Sequence, residues 1–190
     1  MAYAFAEITF TPNVRAEQER NGAGHYARFL SNERQGGATM GANEAAFISA
    51  RDGFYQATVS ETGWPYVQFR GGPRGFIRVL DETTLAYLDL RGNRQYLSRG
   101  NLTGNDRISL ILMDYPSATR LKVWGRATTV EASTIPQLPH GDAQIETAVV
   151  IKVEAFDWNC PRHIPRRLTA EEMHLEMAAL ELAKASDSQS

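Results

Sequence analysis

Alternating apolar and polar residues dominate the middle of the chain, from Phe54 onward. The stretches FYQATVS and PYVQFR flank ETGW, which predicts a β-hairpin with Gly63 at the positive φ of its turn. The same alternation predicts strands over FIRVL, TLAYLDL, RLKVWGRATTVE and TAVVIKVEAFDW. ISLILMD is nearly continuous in apolar residues, which predicts a strand buried on both faces. Together these stretches predict a mainly β fold of about six or seven strands.

Helical patterns surround this β region. Residues 13–35 combine Arg, Glu and Gln with scattered apolar positions, which predicts a helical extension that ends in loop. A short helix is predicted from Asn43, as its N-cap, to Arg51. NRQYLSRGNL is the helical pattern between strands, and LTAEEMHLEMAALELAKA predicts a last helix that begins near Thr169.

The order of these elements predicts one barrel domain with terminal additions. Residues 1–42 form a helical extension and linker, residues 43–168 the barrel domain, and residues 169–190 the C-terminal helix. Hydrophobic residues make up 43% of the chain, which is enough for a packed core. We therefore expect an ordered globular protein.

Charge and composition exclude several classes of function. A formal net charge of -2 gives no general attraction to nucleic acid or to an anionic membrane. No stretch has membrane-spanning length and the first residues lack a signal-peptide pattern, so we expect a cytoplasmic protein. Cys160 is the only cysteine, and the histidines lack metal-ligand spacing, so we predict neither a disulfide nor a metal site.

The segment DLRGNRQYLSRGNL has the chemistry of an anion site. It predicts a strand followed by a helix, whose first N–H groups and positive dipole end attract anions. Arg94 can add a bidentate contact to a phosphate, and Ser98 and Asn101 lie on one face of the predicted helix. The segment by itself is equally consistent with a plain strand–helix turn that carries a solvated arginine.

The segment GWPYVQFRGGP is the second candidate. Main-chain groups of residues 67–70 can bond the polar edge of a planar ring, with Gln68 or Arg70 beside that edge. The paired glycines Gly71 and Gly72 are more commonly explained by a tight turn.

Four motifs occur in one order along the chain: PYVQFRGGP, YLDLRGNRQYLSRGNL, LKVWGRA and EAFDWNCPRHIPRR. Through them the chain resembles the pyridoxamine 5'-phosphate oxidase-like FMN-binding proteins over residues 44–168, and it is most similar to their branch of unassigned bacterial flavoproteins. The resemblance implies an FMN-binding split β-barrel with peripheral helices. It also implies a homodimer with two FMN sites at the subunit interface.

The resemblance further implies the residues that contact FMN. They are Val67, Gln68 and Arg70 on the strand that lines the flavin, Asn93, Arg94, Gln95, Ser98 and Asn101 on the phosphate side, Arg120 on a strand that reaches the partner subunit's flavin, and Trp158 as an aromatic residue near the flavin. The resemblance assigns no catalytic residue.

The last motif differs from that of the vitamin oxidase itself. A substrate-binding segment of the Arg-Leu-His-Asp-Arg type is replaced by PRHIPRR at residues 161–167, so the resemblance implies the cofactor and not the substrate. Arg162, His163, Arg166 and Arg167 can bind a phosphorylated substrate or reduced nicotinamide, or can form surface ion pairs. Cys160 is interpreted as a small packing residue and not as a nucleophile.

The function implied is an FMN-dependent oxidoreductase that acts on an unidentified small molecule, because in such enzymes the cofactor carries the chemistry. Two alternatives stay open: a non-catalytic flavin-binding or electron-transfer module, and a haem-handling split-barrel protein. The sequence leaves open whether F420 or another flavin replaces FMN, and it names neither the substrate nor the electron donor.

Overall fold

The computed structural model describes residues 2–30, 36–158 and 162–187, in which helices surround one antiparallel sheet. The helices are α1 (Tyr3–Thr9), α2 (Pro12–Arg20), α3 (Ala42–Ser49), α4 (Leu97–Gly104) and α5 (Ala170–Asp187), with 3₁₀ turns at Gly24–Leu30 and Ala132–Thr134. The strands are β1 (Gly53–Val59), β2 (Pro65–Gly71), β3 (Ile77–Asp81), β4 (Thr84–Leu90), β5 (Arg107–Asp114), β6 (Thr119–Val130) and β7 (Ile145–Trp158). No helix in these ranges has the length and apolar character that a membrane crossing requires.

The sheet curls until its two ends meet. Its strand order is β2-β1-β5-β6-β7-β4-β3, and all neighbouring strands are antiparallel. The edge strands β2 and β3 share no ladder, yet side chains connect the two ends. The Phe54 ring of β1 stacks on Phe76 at 5.7 Å, and the Tyr87 hydroxyl of β4 donates to Gln56 Oε1 of β1. The predicted fold class, a mainly β split barrel with peripheral helices, is confirmed.

The barrel interior is filled by residues that alternate along each strand. In β5 the inward residues Ile108, Leu110 and Leu112 are at most 4% exposed, and each buried side chain of this size stabilises the fold by about 1.5–3 kcal/mol. Ile111 lies on the other face and is 37% exposed. The prediction that ISLILMD is buried on both faces is therefore wrong for the single chain, because nothing in the described chain covers the outer face of β5.

Two glycines lie at positions of the sheet where a side chain would be strained or would clash. Gly63 has φ +87 in the turn of the β1–β2 hairpin, as its position predicts. Gly125 lies at the irregularity in the β6–β7 pairing, where an added Cβ would be 2.3 Å from the Lys152 carbonyl oxygen. Any larger residue at position 125 has to move one strand away from the other.

The N-terminal extension is more divided than the sequence predicts. The pattern does not predict α1, whose buried Phe5 lies 5.4 Å from the Trp124 ring and covers the outer face of β6. α2 ends at Arg20, because Gly22 has φ +70 and cannot continue a right-handed helix. The last part of the predicted extension, residues 31–35, lies outside the described residues.

The starts of α3 and α5 test the predicted helix caps. α3 has Gly41 at its N-cap and not Asn43, and Glu44 Oε2 accepts the Gly41 N–H at 2.9 Å. α5 follows Thr169, near which its start is predicted: the Glu172 N–H donates to Thr169 Oγ1 at 3.2 Å, and the Thr169 N–H donates to Glu172 Oε2 at 2.8 Å. These two bonds form a capping box, and the predicted start of the last helix near Thr169 is confirmed.

Candidate functional site

A cavity of about 210 Å³ opens between β2, the end of β4 and the segment that leads into α4. The split in the barrel sets the β2 edge of the sheet opposite the end of β4, which brings distant parts of the sequence together. Six of the residues predicted from the sequence line this cavity: Gln68, Arg70, Asn93, Arg94, Gln95 and Ser98.

The segment between β4 and α4 forms the mouth of the cavity. Arg94 and Tyr96 have φ 63 and 55, in the left-handed region, so the helix cannot begin where the NRQYLSRGNL pattern predicts. α4 instead begins at Leu97, and Tyr96 at its N-cap supplies no side-chain acceptor. Leu97 and Ser98 line the cavity, so the uncapped N-terminus of α4 lies at this site.

Ser98 connects α4 to β2. The Ser98 hydroxyl donates to Gln68 Oε1 at 2.8 Å, and the residue is only 2% exposed. Asn101 lies one turn further along α4, and its side-chain amide donates to Thr58 Oγ1 of β1 at 3.0 Å. Asn101, predicted to contact the phosphate, therefore fastens α4 to the sheet and does not line the cavity.

Arg70 of β2 and Asp89 of β4 form an ion pair at the bottom of the cavity, and we call this pair the floor. Arg70 Nη1 lies 2.6 Å from Asp89 Oδ1, and the two side chains are 16% and 9% exposed. Arg70 Nε is buried and has no hydrogen-bond partner within the described chain. Tyr87 lies beside the pair, 6.0 Å from Arg70 Cζ, and burial raises the pKa of its hydroxyl, which keeps it neutral. The floor thus holds a buried donor that the described chain leaves unused.

Four side chains form the rim. The Tyr96 hydroxyl donates to Glu146 Oε1 at 3.1 Å and accepts a long contact of 3.4 Å from Arg94 Nε. Arg99 lies 3.8 Å from the Glu146 carboxylate. The contact with Tyr96 raises the pKa of the exposed Arg94 guanidinium, which has no carboxylate within 4.0 Å among the described residues. The charge of Arg94 is therefore available to an anion at the cavity mouth.

Three predicted residues lie away from the cavity in the single chain. Val67 is on the other face of β2 and is 62% exposed. Arg120 is near the start of β6, and Trp158 ends β7, the strand whose opposite end carries the rim residue Glu146. Trp158 Nε1 donates to Glu44 Oε1 at 2.7 Å, so in one chain this ring supports α3.

The C-terminal basic cluster also lies at that distant end. Arg166 Nε donates to the Pro116 carbonyl at 3.1 Å, and the Arg167 guanidinium lies 5.2 Å from the Tyr115 ring. Both arginines thus hold the C-terminal segment against the turn between β5 and β6. Cys160 lies outside the described residues.

Five polar or aromatic lining residues were not predicted from the sequence: Tyr66, Asp89, Tyr96, Arg99 and Glu146. Asp89 had a usable signal, because a carboxylate near the end of the apolar strand TLAYLDL requires a buried partner. Glu146 had none, since its contact with Tyr96 spans 50 residues and depends on the β4–β7 pairing.

Comparison with solved structures finds proteins with low sequence identity to this chain. A putative pyridoxamine 5'-phosphate oxidase from Lactobacillus delbrueckii is 21% identical, with a TM-score of 0.47 over 63% of this chain and 94% of that chain. HupZ of Group A Streptococcus is 17% identical, with a TM-score of 0.47 over 68% and 100%. An FMN-binding protein from Syntrophomonas wolfei is 8% identical, with a TM-score of 0.48 over 76% and 97%.

Comparison by sequence gives the family. No curated protein matches the chain. The family model described as pyridoxamine 5'-phosphate oxidase matches residues 40–155, which is more than half of the chain and includes every residue that lines the cavity. On this match, the chain belongs to the pyridoxamine 5'-phosphate oxidase family.

Proposed function

We propose that the cavity is one half of an FMN site and that the protein is a flavin-dependent oxidoreductase acting on a small molecule. One observation carries the proposal. The same cavity holds an available cation, Arg94, at the uncapped N-terminus of α4, and an unused buried donor, Arg70 Nε, on its floor. A ligand with an anionic group at one end and a flat acceptor-rich edge at the other satisfies both.

FMN fits this donor set. Its phosphate matches Arg94 and the first N–H groups of α4, which are the groups that bind anions at helix ends. Asn93 and Gln95 flank Arg94 on the same segment and supply further polar contacts. The pyrimidine edge of the flavin ring offers carbonyl and nitrogen acceptors, which match the buried donor on Arg70.

Gln68 and Ser98 act as the side wall of this site. Because Ser98 donates to Gln68 Oε1, the side-chain oxygen of Gln68 is occupied and its amide N–H groups are the part directed to other acceptors. A wall that offers donors complements a ring edge that offers acceptors. Asn101 supports the site from behind by fixing α4 on β1.

The second half of the site is proposed to come from a second copy of the chain. A cavity of about 210 Å³ is below the range of about 300–1,000 Å³ typical of ligand sites. The outer face of β1, β2 and β5 exposes four large apolar side chains, namely Tyr55, Val67, Phe69 and Ile111, at 37% to 62%. A two-fold pairing through this face buries them and makes two equal sites.

Arg120 and Trp158 have a natural place in such a dimer. Both lie at the end of the barrel opposite the cavity of their own chain, so neither can reach that cavity without a second copy. Arg120 of the partner subunit is therefore proposed to complete each FMN site, with the partner subunit's Trp158 as the neighbouring aromatic ring.

The bound flavin would supply the hydride or electron transfer. This chain's own residues hold the phosphate, orient the ring edge and keep water from the buried floor. No pair of side chains along the cavity is arranged as nucleophile and base, which agrees with a role in binding and orientation.

The test begins with an absorbance spectrum of the purified protein, followed by denaturation and chromatography of any released molecule. We expect a yellow protein that releases FMN. Release of FAD or F420 would replace the cofactor in the proposal, and a colourless protein that takes up no added FMN would refute it. Bleaching of the yellow protein by reduced nicotinamide would support turnover, whereas a flavin that no donor reduces would favour a non-catalytic flavin module.

A further inference from the structure

We propose that Asp89 is a positioning residue of the flavin site: it holds Arg70 in the cavity floor and sets how strongly the site favours the reduced over the oxidised cofactor. This inference rests on the proposed function. It adds a role for Asp89, which acts through Arg70 and is not among the site residues predicted from the sequence.

The Arg70–Asp89 pair lies across the split in the barrel. Arg70 belongs to β2 and Asp89 to β4, two strands that share no backbone ladder and meet only across the split in the barrel. The side chains alone therefore determine where the guanidinium lies. With 2.6 Å between Nη1 and Oδ1 and little exposure on either side, Asp89 fixes Arg70 against the cavity and not toward solvent.

Several buried polar atoms near the pair have no hydrogen-bond partner in the described chain. Buried polar atoms in proteins nearly always have a partner. Three of the four exceptions in the described chain surround the floor: Arg70 Nε itself, Thr147 Oγ1, and Gln56 Nε2. Thr147 is the cross-strand partner of Asp89, and Gln56 accepts the hydroxyl of Tyr87, the ring beside Arg70. Of these three residues only Arg70 lines the cavity, so Arg70 Nε is the atom that a polar ligand edge would complete.

Arg70 and Asp89 carry opposite charges at the floor of the cavity. Tyr87 is kept neutral by burial, so Arg70 and Asp89 are the charges at the floor, and there they balance. Charges act strongly on each other where water is excluded. A flavin gains electron density at its pyrimidine side on reduction, so a floor with unbalanced positive charge favours the reduced cofactor. Asp89 moderates this preference by balancing Arg70.

The experiment measures the two-electron midpoint potential of the full-length, flavin-loaded protein by equilibration with redox dyes. Asp89→Asn keeps the side-chain shape and removes the charge. We expect the affinity ratio of reduced to oxidised flavin to rise at least tenfold, which is a positive shift of about 30 mV for a two-electron couple. Arg70→Gln leaves Asp89 unbalanced and is expected to shift the potential in the opposite direction. Asp89→Glu, which restores the charge, is expected to return the potential toward that of the wild type.

A matched control separates this role from a structural one. Arg51 and Asp114 form a second, comparably buried pair, with 3.3 Å between them and exposures of 14% and 22%, away from the cavity. Asp114→Asn is expected to lower stability without moving the potential. An Asp89→Asn protein that binds flavin at the wild-type potential overturns the inference.

The outcomes also separate this inference from the proposal beneath it. If the wild-type protein binds no flavin, the proposed function fails first. If the wild type binds flavin but Asp89→Asn does not, Arg70→Gln decides: a potential below that of the wild type supports the inference, and an unchanged potential overturns it.

Discussion

The hydroxyl of Ser98 donates a 2.8 Å hydrogen bond to Gln68 Oε1, which joins the first turn of α4 to the edge strand β2. The two residues are 30 positions apart, and each belongs to a different one of the two motifs that line the cavity. Together with the Arg70–Asp89 ion pair, this bond links the two motifs through side chains. It makes the shape of the cavity depend on both at once.

Removal of that link is expected to weaken flavin binding without unfolding the protein. A neutral hydrogen bond contributes about 0.5–1.5 kcal/mol, so Ser98→Ala should raise the FMN Kd by about 2- to 13-fold. Thr103→Ala is the matched control, because Thr103 is exposed on the same helix and its hydroxyl donates to the Arg99 carbonyl. Titration followed by flavin fluorescence measures both, and equal Kd values for the two variants would contradict the prediction.

Loss of the cavity-mouth cation is expected to have a larger effect. Hydrogen bonds to charged groups contribute about 1.5–3 kcal/mol, so Arg94→Ala should raise the FMN Kd by about 13- to 160-fold. Its side chain is exposed, so the far-UV circular dichroism and the melting temperature should stay near the wild-type values. Arg107→Ala, an exposed arginine on β5 outside the cavity, should bind FMN normally. An unchanged Kd in Arg94→Ala would show that the phosphate lies elsewhere.

The exposed sheet face gives a prediction about assembly. Phe69→Asp places a charge in the apolar outer face of β2, where the Phe69 ring lies 5.4 Å from Tyr55, and a desolvated charge opposes association. Light scattering should show a dimer for the wild type and a monomer for this variant, and FMN should be lost with the dimer. Val14→Asp, at an exposed apolar residue of α2, should stay dimeric. A wild-type monomer that holds FMN would rule out the interface site.

The contact between Glu44 and Trp158 predicts acid lability at the far end of the barrel. Burial alone would raise the pKa of Glu44, but the hydrogen bonds from Trp158 and from the Gly41 and Glu44 N–H groups outweigh it, so the pKa lies below the ordinary value of 4.5. A carboxyl whose folded pKa is depressed stabilises the protein above the unfolded pKa and loses this effect as pH falls through the folded pKa.

Unfolding by urea between pH 7 and pH 3 measures this contribution. The stability difference between wild type and Glu44→Gln should be constant above about pH 5.5 and should shrink below pH 4.5. Tryptophan fluorescence should report the same range, because Trp158 Nε1 donates to the Glu44 carboxylate at 2.7 Å. A difference that grows on acidification would have the wrong sign.

The buried pair of Gln56 and Tyr87 predicts a non-additive effect on stability. Tyr87→Phe removes the donor to Gln56 Oε1 and leaves a buried amide without partners, which costs about 1–3 kcal/mol. Gln56→Leu combined with Tyr87→Phe removes both polar groups and should cost less than Tyr87→Phe alone. Urea unfolding of the single and double variants checks this, and simple additivity would contradict it.

Much of the fold follows from local sequence pattern. Six strands lie where the alternation of apolar and polar residues predicts them, and β5 lies where the nearly continuous apolar stretch ISLILMD predicts a strand. The last helix begins directly after Thr169, near which the pattern predicts its start. The start of α4 does not follow from the pattern, because NRQY reads as helical and only the left-handed backbone of Arg94 and Tyr96 delays the helix. Local propensity carries no information about that conformation.

Some residues of the candidate site follow from local sequence pattern, and others do not. Arg94 and Gln68 belong to motifs with visible chemistry, so sequence could select them. Helical spacing also selects Asn101. Spacing shows on which face of the helix a residue lies but not what that face contacts, and the Asn101 side chain contacts Thr58. Glu146 could not be selected, since only the pairing of β7 with β4 brings it to the rim.

The split in the barrel has a consequence for how the protein survives in a cell. Across that opening β2 and β4 are joined by side chains alone, so this line can part without breaking a backbone ladder. A ligand that contacts both β2 and α4 holds the two sides of this opening together. A ligand that binds only the native state stabilises the protein by RT ln(1 + [L]/Kd). Proteases should therefore cut the ligand-free protein first at this opening, and the lifetime of the protein should follow the supply of its ligand.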